Sequence, residues 1–442
     1  MKYEYDICFI GGGLNYVGAV VASAAGLKTV LIEREMKHLG GTCLHNGCIP
    51  SKMFLHTAEG VLRSRDELYE GSLHIRMARL FEKKEKMLLD STTAIVRQCA
   101  KAELIEGEAK LVAPHTVEIA NTRLTAHYVL IGTGSKPFIP EGIDYDGSGV
   151  VTSDEVLNLK ELPEKIAIYG DGAIGLEMAS FFAAAGMETE LIWRRERLLQ
   201  RAHPIISAAM SKQMDAIGVK RLPERTIESA KTTKRGVHIR YENGEEHYVP
   251  HLLVATGRHA DLSAVAPGLL SVGKQGIETD EQFETSLKEH YAVGDCNGKL
   301  QLAHAARAQV LYVVDEILGR DPEMLDLNHV VRFIHTLPMS YATVGMGKDA
   351  LDAHGIACKE GVFPLRGIPY ARMHDAEEGS MIVYADEEGF ILGAEILAPN
   401  AEELISTVAM ALAGEMDAKL AKRTILAHPT FSESLERAYG RL

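Results

Sequence analysis

Two stretches of this chain repeat one plan, and the repeat limits the fold more than any other feature. In the first, the apolar run Tyr5–Ile10 leads into Gly11-Gly12-Gly13-Leu14-Asn15-Tyr16, an Ala/Val-rich segment to about residue 25, and a second apolar run over 29–32. In the second, residues 166–169 lead into Gly170-Asp171-Gly172-Ala173-Ile174-Gly175, an apolar segment over 176–185 and a further run over 188–193. Strand, glycine turn, small-residue helix and strand make a β–α–β unit. Residues 129–134 and 252–257 close the two copies in similar fashion. A chain with two such units is an α/β protein carrying two copies of a nucleotide-binding layout.

Residues 54–103 have mixed charge and few breakers and are predicted helical; 106–119, 124–131 and 291–294 are predicted as short strands. From about residue 326 the pattern changes. Apolar runs at 381–384 and 390–396 precede a predicted helix over 401–413, which reads as an α+β domain. A length of 442 residues accommodates roughly three domains. The expected division is 1–150 and 265–325 for two parts of one nucleotide-binding domain, 151–264 for the other, and 326–442 for the C-terminal domain.

The formal charge of −14 argues against a nucleic-acid partner, which would need a basic face. Residues 7–27 are uncharged and long enough to raise a membrane question, but they hold five Gly, an Asn and a Ser and read better as strand, turn and buried helix. Glu4 and Asp6 directly follow Lys2, so no secretory signal is expected and the cytoplasm is the expected location.

Glycines in the first turn let the backbone approach a pyrophosphate at a helix N-terminus. Glu33, 22 residues after Gly11, ends the second strand, where a carboxylate can accept hydrogen bonds from a ribose. The last glycine of the G-x-G-x-x-G spacing is replaced by Tyr16, and the next Gly is Gly18, so a plain glycine-rich turn is the alternative reading. The second turn matches in full at Gly170, Gly172 and Gly175. There the acid's position holds Trp193, followed by Arg194, Arg195 and Arg197, which suits a 2′-phosphate and favours NADPH over NADH. A solvated basic helix start is the competing reading.

Cys43 and Cys48 stand in Gly41-Thr42-Cys43-Leu44-His45-Asn46-Gly47-Cys48-Ile49-Pro50-Ser51-Lys52. In a regular helix, residues five apart have Cα atoms about 8–9 Å apart. A disulfide needs less than about 7 Å. If the two bond, the turn between them is distorted, and Gly47 supplies the freedom. So small a loop stabilises by only about 2 kcal/mol, which favours a working redox pair over a staple. A metal site has only His45 nearby to help, and none is expected. Cys8, Cys99, Cys296 and Cys358 are expected to be buried apolar residues. Near the end, Glu433 can accept a hydrogen bond from Nδ1 of His428 and leave Nε2 as a base.

Together these motifs resemble the pyridine nucleotide-disulfide oxidoreductases, a family of FAD enzymes, over essentially the whole chain and in order. The cysteine segment is similar to the family's G-G-T-C-L-N-V-G-C-I-P-S-K. Residues 130–137 and Ala255-Thr256-Gly257-Arg258 are similar to its two A-T-G segments. Tyr291-Ala292-Val293-Gly294-Asp295 is similar to its late FAD motif, and His428 with Glu433 to its His–Glu dyad. The resemblance implies two Rossmann-like, doubly wound nucleotide-binding domains plus a C-terminal α+β dimerisation domain. It implies that Gly11, Gly13, Glu33, Gly41, Thr42, Lys52, Ala109, Gly134, Asp295 and Ala303 serve FAD. Gly170, Gly172, Gly175, Glu177, Arg194, Arg195 and Gly257 join them as cofactor-binding residues. Lys52 would pair with Glu177 beside the flavin, Cys48 would lie against the flavin, and Cys43 would exchange with substrate. A homodimer would place His428 across the interface.

Within the family, Ile-Pro-Ser-Lys and the C-terminal segment are similar to dihydrolipoamide dehydrogenase. Residues 368–372 also resemble the mercuric reductase branch, but the terminal vicinal cysteines of that branch have no counterpart here. Tyr16, His45 and Leu426 depart from the lipoamide pattern. The implied activity passes electrons between NAD(P)H, FAD and the Cys43–Cys48 pair, and on to a small disulfide or a lipoyl-type carrier. The alternatives are an NAD(P)H-dependent reductase of a metal ion, quinone or oxygen on the same scaffold, and a non-catalytic flavoprotein.

Overall fold

The computed structural model describes residues 2–442, which divide into two compact units. The first combines the chain up to Pro50 with Ala78–Phe138 and Gly257–Leu327. At its centre the strands Glu103–Glu106, Thr29–Glu33, Tyr5–Ile10 and Thr122–Ile131 lie side by side in that order, all parallel where the first β–α–β unit requires it. His290–Ala292 adds a further parallel partner to Thr122–Ile131. Alternation of side chains explains the layers. Ile7, Phe9 and Leu31 face Ala19, Ala22, Val310 and Val313 on the helices Asn15–Ala24 and Ala303–Ile317. Cys8, Ile10, Val30 and Ile32 face Leu111 and Val117 on the opposite side. Each strand therefore buries both faces and reads as a continuous apolar run.

The second unit combines Ser51–Met77, Ile139–Thr256 and Asn328–Leu442. Its parallel sheet has the order Val219–Leu222, Glu188–Ile192, Lys165–Tyr169, Leu252–Val254, Val150–Val151. The helix Ala173–Ala184 fills the second crossover and is buried from Gly175 onward, as its apolar sequence demands. Three antiparallel strands, Ile227–Thr233, Gly236–Tyr241 and Glu246–Val249, form a small separate sheet that the sequence reading left unassigned. After residue 330 comes an antiparallel sheet ordered Arg332–Ile334, Ser340–Gly345, Ile391–Ala398, Ser380–Ala385, Lys359–Pro364. The helix Ala401–Ala413 packs on it.

Three expectations need correction. The helical stretch expected over 54–103 is interrupted: it forms two helices, Cys48–Arg63 and Met77–Gln98. Between them Asp66 Oδ1 accepts from Leu68 N at 2.7 Å, Ser64 Oγ accepts from Leu73 N at 3.3 Å, and Gly71 has φ +91°. Short polar side chains there compete with the helix for backbone hydrogen bonds. The strand expected over 106–119 is a hairpin of Ala109–Ala113 and Thr116–Ile119, preceded by Glu103–Glu106. The strand at 291–294 shifts to His290–Ala292, with one 3-10 turn at Gly294–Asn297. The uncharged stretch 7–27 is a strand, a glycine turn and a ten-residue helix. Among the described residues no helix is long and apolar enough to cross a membrane.

Candidate active site

The glycines of the first unit build a cradle that a side chain would fill. Gly11 has φ +94°, and a Cβ there would stand 2.5 Å from Gly132 O. A Cβ on Gly41, at φ +70°, would stand 2.7 Å from Gly13 Cα. At Gly13 itself a Cβ would meet nothing within 4 Å, so this backbone is open to a ligand. Glu33 ends its strand with Oε2 accepting from Gly12 N at 2.6 Å and Oε1 from Glu35 N at 3.3 Å. The adjoining cleft, about 170 Å³, lies between Gly11, Glu33, Arg34, His38, Ala109 and Ser263. The glycine backbone and the Glu33 carboxylate on this cleft suit the adenosine end of a dinucleotide.

Tyr16 does not spoil this turn. It packs at the edge of the core, and the close approach of helices is made two residues on. A Cβ on Gly18 would lie 2.5 Å from Val310 and 2.8 Å from Phe9.

Across the same unit, Ser135 Oγ donates to Asp295 Oδ2 at 2.6 Å, and Arg258 Nε donates to Ser135 Oγ at 2.8 Å. Gly134 has φ +74° and Gly257 φ +121°, where an L side chain would be strained. Ala303 opens its helix. The Ser135–Arg258 link escaped the sequence reading, although Ser135 and Arg258 stand in its two A-T-G segments.

Thr42 and Cys43 lie in the short helix Gly41–His45, and Cys48 opens the helix Cys48–Arg63. Asn46 N still donates to Thr42 O at 2.9 Å, and then the chain doubles back. A Cβ on Gly47 would sit 2.9 Å from Thr42 O and 3.3 Å from Cys43 Cα. Gly47 is thus needed for close approach, not for the backbone freedom expected of it, since its φ is not positive. The turn leaves the two cysteines near redox distance of each other, Cys43 half-buried and Cys48 exposed.

His45 is buried. Its Nε2 lies 3.1 Å from Leu39 O and 3.3 Å from Thr92 Oγ1, and desolvation lowers its pKa, so it ties the cysteine helix to helix Met77–Gln98 as a neutral ring. Among the described residues no cluster of three or more His, Cys, Asp or Glu could hold a metal. Cys8, Cys99 and Cys296 are buried as expected; Cys358 is not, and is only half-buried.

In the second unit, Gly170 has φ +126°, and a Cβ on Gly175 would lie 1.9 Å from Gly170 O. Gly172 caps the helix and faces open space. Burial lifts the Asp171 carboxyl above the ordinary aspartate range, with Arg195 and Arg194 pulling against it. Both arginines are exposed in a bend, so the segment is no helix start, and the Trp193 ring beside them is buried. Lys52 Nζ donates to Glu177 Oε1 at 2.5 Å; Glu177 is only 5% exposed. At the C-terminal end, His428 Nδ1 lies 3.0 Å from Glu433 Oε2. The imidazole is 73% exposed and the carboxylate 13%, so Glu433 orients the ring and Nε2 is left open. In the same C-terminal stretch, Ile425, Leu420 and Met410 are exposed apolar residues.

Comparison with known proteins agrees with this geometry. Residues 5–309 match the family model described as pyridine nucleotide-disulphide oxidoreductase, and 331–439 match the dimerisation domain of that family. Dihydrolipoyl dehydrogenase of Bacillus subtilis is 31% identical, over 99% of this chain and 98% of that protein. Leghemoglobin reductase of Glycine max is 30% identical, over 98% and 87%. Among solved structures, the Cu(II) complex of the HOCl-induced flavoprotein disulfide reductase RclA from Escherichia coli superposes with a TM-score of 0.89 at 26% identity, covering 100% of this chain and 99% of that one.

Proposed function

Since the chain belongs to the pyridine nucleotide-disulphide oxidoreductases and is a flavoprotein disulfide oxidoreductase using FAD and NAD(P)H, we propose that Cys43 and Cys48 are its working sulfurs, NADPH its preferred reductant and a small disulfide or lipoyl-type group its substrate. The observation that carries this reading is the Gly47 turn, which keeps Cys43 and Cys48 together on the same unit as the glycine cradle.

Residues 1–150 and 265–325 serve FAD, 151–264 serve NAD(P)H, and 326–442 form the dimer interface. Gly11, Gly13, Gly41, Thr42, Glu33, Ala109, Gly134, Asp295 and Ala303 hold FAD, with Lys52 and Glu177 beside its ring. When bound, FAD would supply the two-electron carrier between the nicotinamide and the sulfurs. Gly170, Gly172, Gly175 and Gly257 shape the nicotinamide-nucleotide side, and exposed Arg194 and Arg195 offer a fork for a 2′-phosphate.

The protein's own chemistry is thiol exchange. In the reduced pair, the Cys43 thiolate attacks one sulfur of the substrate disulfide, forming a mixed disulfide and expelling a thiolate. His428, oriented by Glu433, protonates that leaving group. The Cys48 thiolate then attacks Cys43, expels the second product as a thiolate, which takes a proton from solvent, and restores the Cys43–Cys48 bond. Run backwards, the same steps oxidise a dithiol. The exposed Ile425, Leu420 and Met410 of the C-terminal domain suit burial in a homodimer, in which His428 works in the partner's site. The sparse, paired cysteine usage suits the cytoplasm.

A second reading has the pair pass electrons to a metal ion or quinone. It is favoured by the likeness to a reductase solved as a Cu(II) complex. The Cys43→Ser variant separates the two. Under the first reading it loses disulfide reduction and retains hydride transfer to FAD. Full disulfide reduction by that variant refutes the role of Cys43.

A further inference from the structure

One polar chain in the second unit runs from the Lys52–Glu177 pair to residues that have no part in the chemistry above. It begins at the buried Glu177 carboxylate, whose Oε1 takes two donors: Lys52 Nζ at 2.5 Å and the main-chain N–H of His335 at 3.0 Å. A carboxylate this desolvated is stable only when its charge is paired and its remaining acceptor capacity is used. The His335 amide therefore decides where the oxygen sits, and the oxygen decides where the ammonium of Lys52 sits.

The segment that carries this amide is strapped down. Leu337 N donates to Ser180 Oγ at 3.1 Å, one helical turn along from Glu177. Met339 N donates to Gln213 Oε1 at 3.1 Å, and Gln213 Nε2 returns bonds to Met339 O at 3.0 Å and Thr336 Oγ1 at 3.1 Å. The end nearest Glu177 is held instead through its side chain: His335 Nδ1 lies 3.1 Å from Glu402 Oε1. Glu402 stands in the first turn of helix Ala401–Ala413, where the helix dipole favours an anion. Burial alone would raise its carboxyl, but the His335 hydrogen bond and the backbone amide hold it below the ordinary glutamate range.

We propose that Glu402 and His335 are positioning residues for the Lys52–Glu177 pair, so that a helix of the C-terminal domain sets the place of the lysine ammonium beside the flavin. The proposal rests on the reading of Lys52 as a flavin-side residue. Its logic is sequential: Glu402 fixes the imidazole, the imidazole fixes its own backbone amide, and that amide fixes Glu177. His335 and Glu402 have no role toward the ring except through Glu177 and Lys52.

A double-substitution cycle tests it, read as FAD affinity on reconstituting the apoprotein and as the visible spectrum of the bound flavin. Glu402→Ala should weaken FAD binding about threefold to tenfold and shift the flavin band. Glu402→Gln, which keeps an acceptor oxygen, should restore most of both. In a Lys52→Met background, Glu402→Ala should add less than about twofold, because the group it positions is gone. Equal effects of Glu402→Ala in both backgrounds overturn the proposal, as does no effect of Glu402→Ala in the parent that retains Lys52. If Lys52→Met alone leaves affinity and spectrum unchanged, the flavin-side reading of Lys52 fails first and the relay fails with it.

Discussion

Gly13 and Gly41 meet backbone to backbone, so closely that a Cβ on Gly41 would stand 2.7 Å from Gly13 Cα. The phosphate turn and the cysteine helix are thereby one rigid piece of the first unit. Gly41→Ala introduces both a clash against main chain, which cannot swing aside, and strain at φ +70°. The variant should lose about 1–3 kcal/mol of stability and retain FAD poorly. Thermal unfolding with and without added FAD checks this: the gap between the two midpoints should shrink relative to the parent.

Gly47 carries the second prediction. A methyl group there must push Thr42 O or Cys43 Cα away, and either movement opens the distance between the sulfurs. Gly47→Ala should therefore reduce the fraction of Cys43–Cys48 disulfide at a fixed glutathione ratio, measured by thiol titration of the denatured protein. An unchanged fraction would mean that the turn has slack the geometry denies.

The proposed preference for NADPH is tested at Arg194 and Arg195. Charged hydrogen bonds of this kind contribute about 1.5–3 kcal/mol each. Replacing both by Ala should raise KM for NADPH about tenfold or more while leaving KM for NADH within about twofold. A parallel rise for both nucleotides would make the arginines part of general binding instead.

Glu190 gives a pH signature. Burial would raise its carboxyl, yet hydrogen bonds from His247, Lys220 and Lys165 bring it down to about 2. A depressed folded value stabilises the native state above the unfolded glutamate pKa near ~4.3. That contribution fades as pH falls through about 2. Glu190→Gln should thus cost about 2–3 kcal/mol at neutral pH, and its deficit against the parent should narrow between about pH 4.5 and 2. Chemical denaturation across that range measures it.

The elements legible in the sequence are those written in local periodicity. The strand Tyr5–Ile10 and the helix Ala401–Ala413 stand where their apolar patterns put them. The two glycine turns were legible because a positive φ or a close backbone leaves only one residue type. The break between Arg63 and Met77 was not, because Ser64 and Asp66 are ordinary residues until their side chains capture Leu73 and Leu68 amides. Nor were the contacts of Glu177 with His335, 158 positions apart, since nothing local in either segment names the other. The role of Gly47 was half legible: the glycine stood out, and its reason, crowding by Thr42 and Cys43, required the folded chain.

The most direct measurement is an anaerobic titration of the FAD-loaded protein with NADPH and NADH, following the long-wavelength band that a thiolate makes against the flavin. The parent should develop it on reduction, Cys43→Ser should show it before any reductant is added and lose it as its flavin is reduced, and Cys48→Ser should not show it at any stage. A band that persists without the Cys48 sulfur, or a parent that never forms one while its flavin is reduced, would contradict the claim that electrons leave the flavin through these two cysteines.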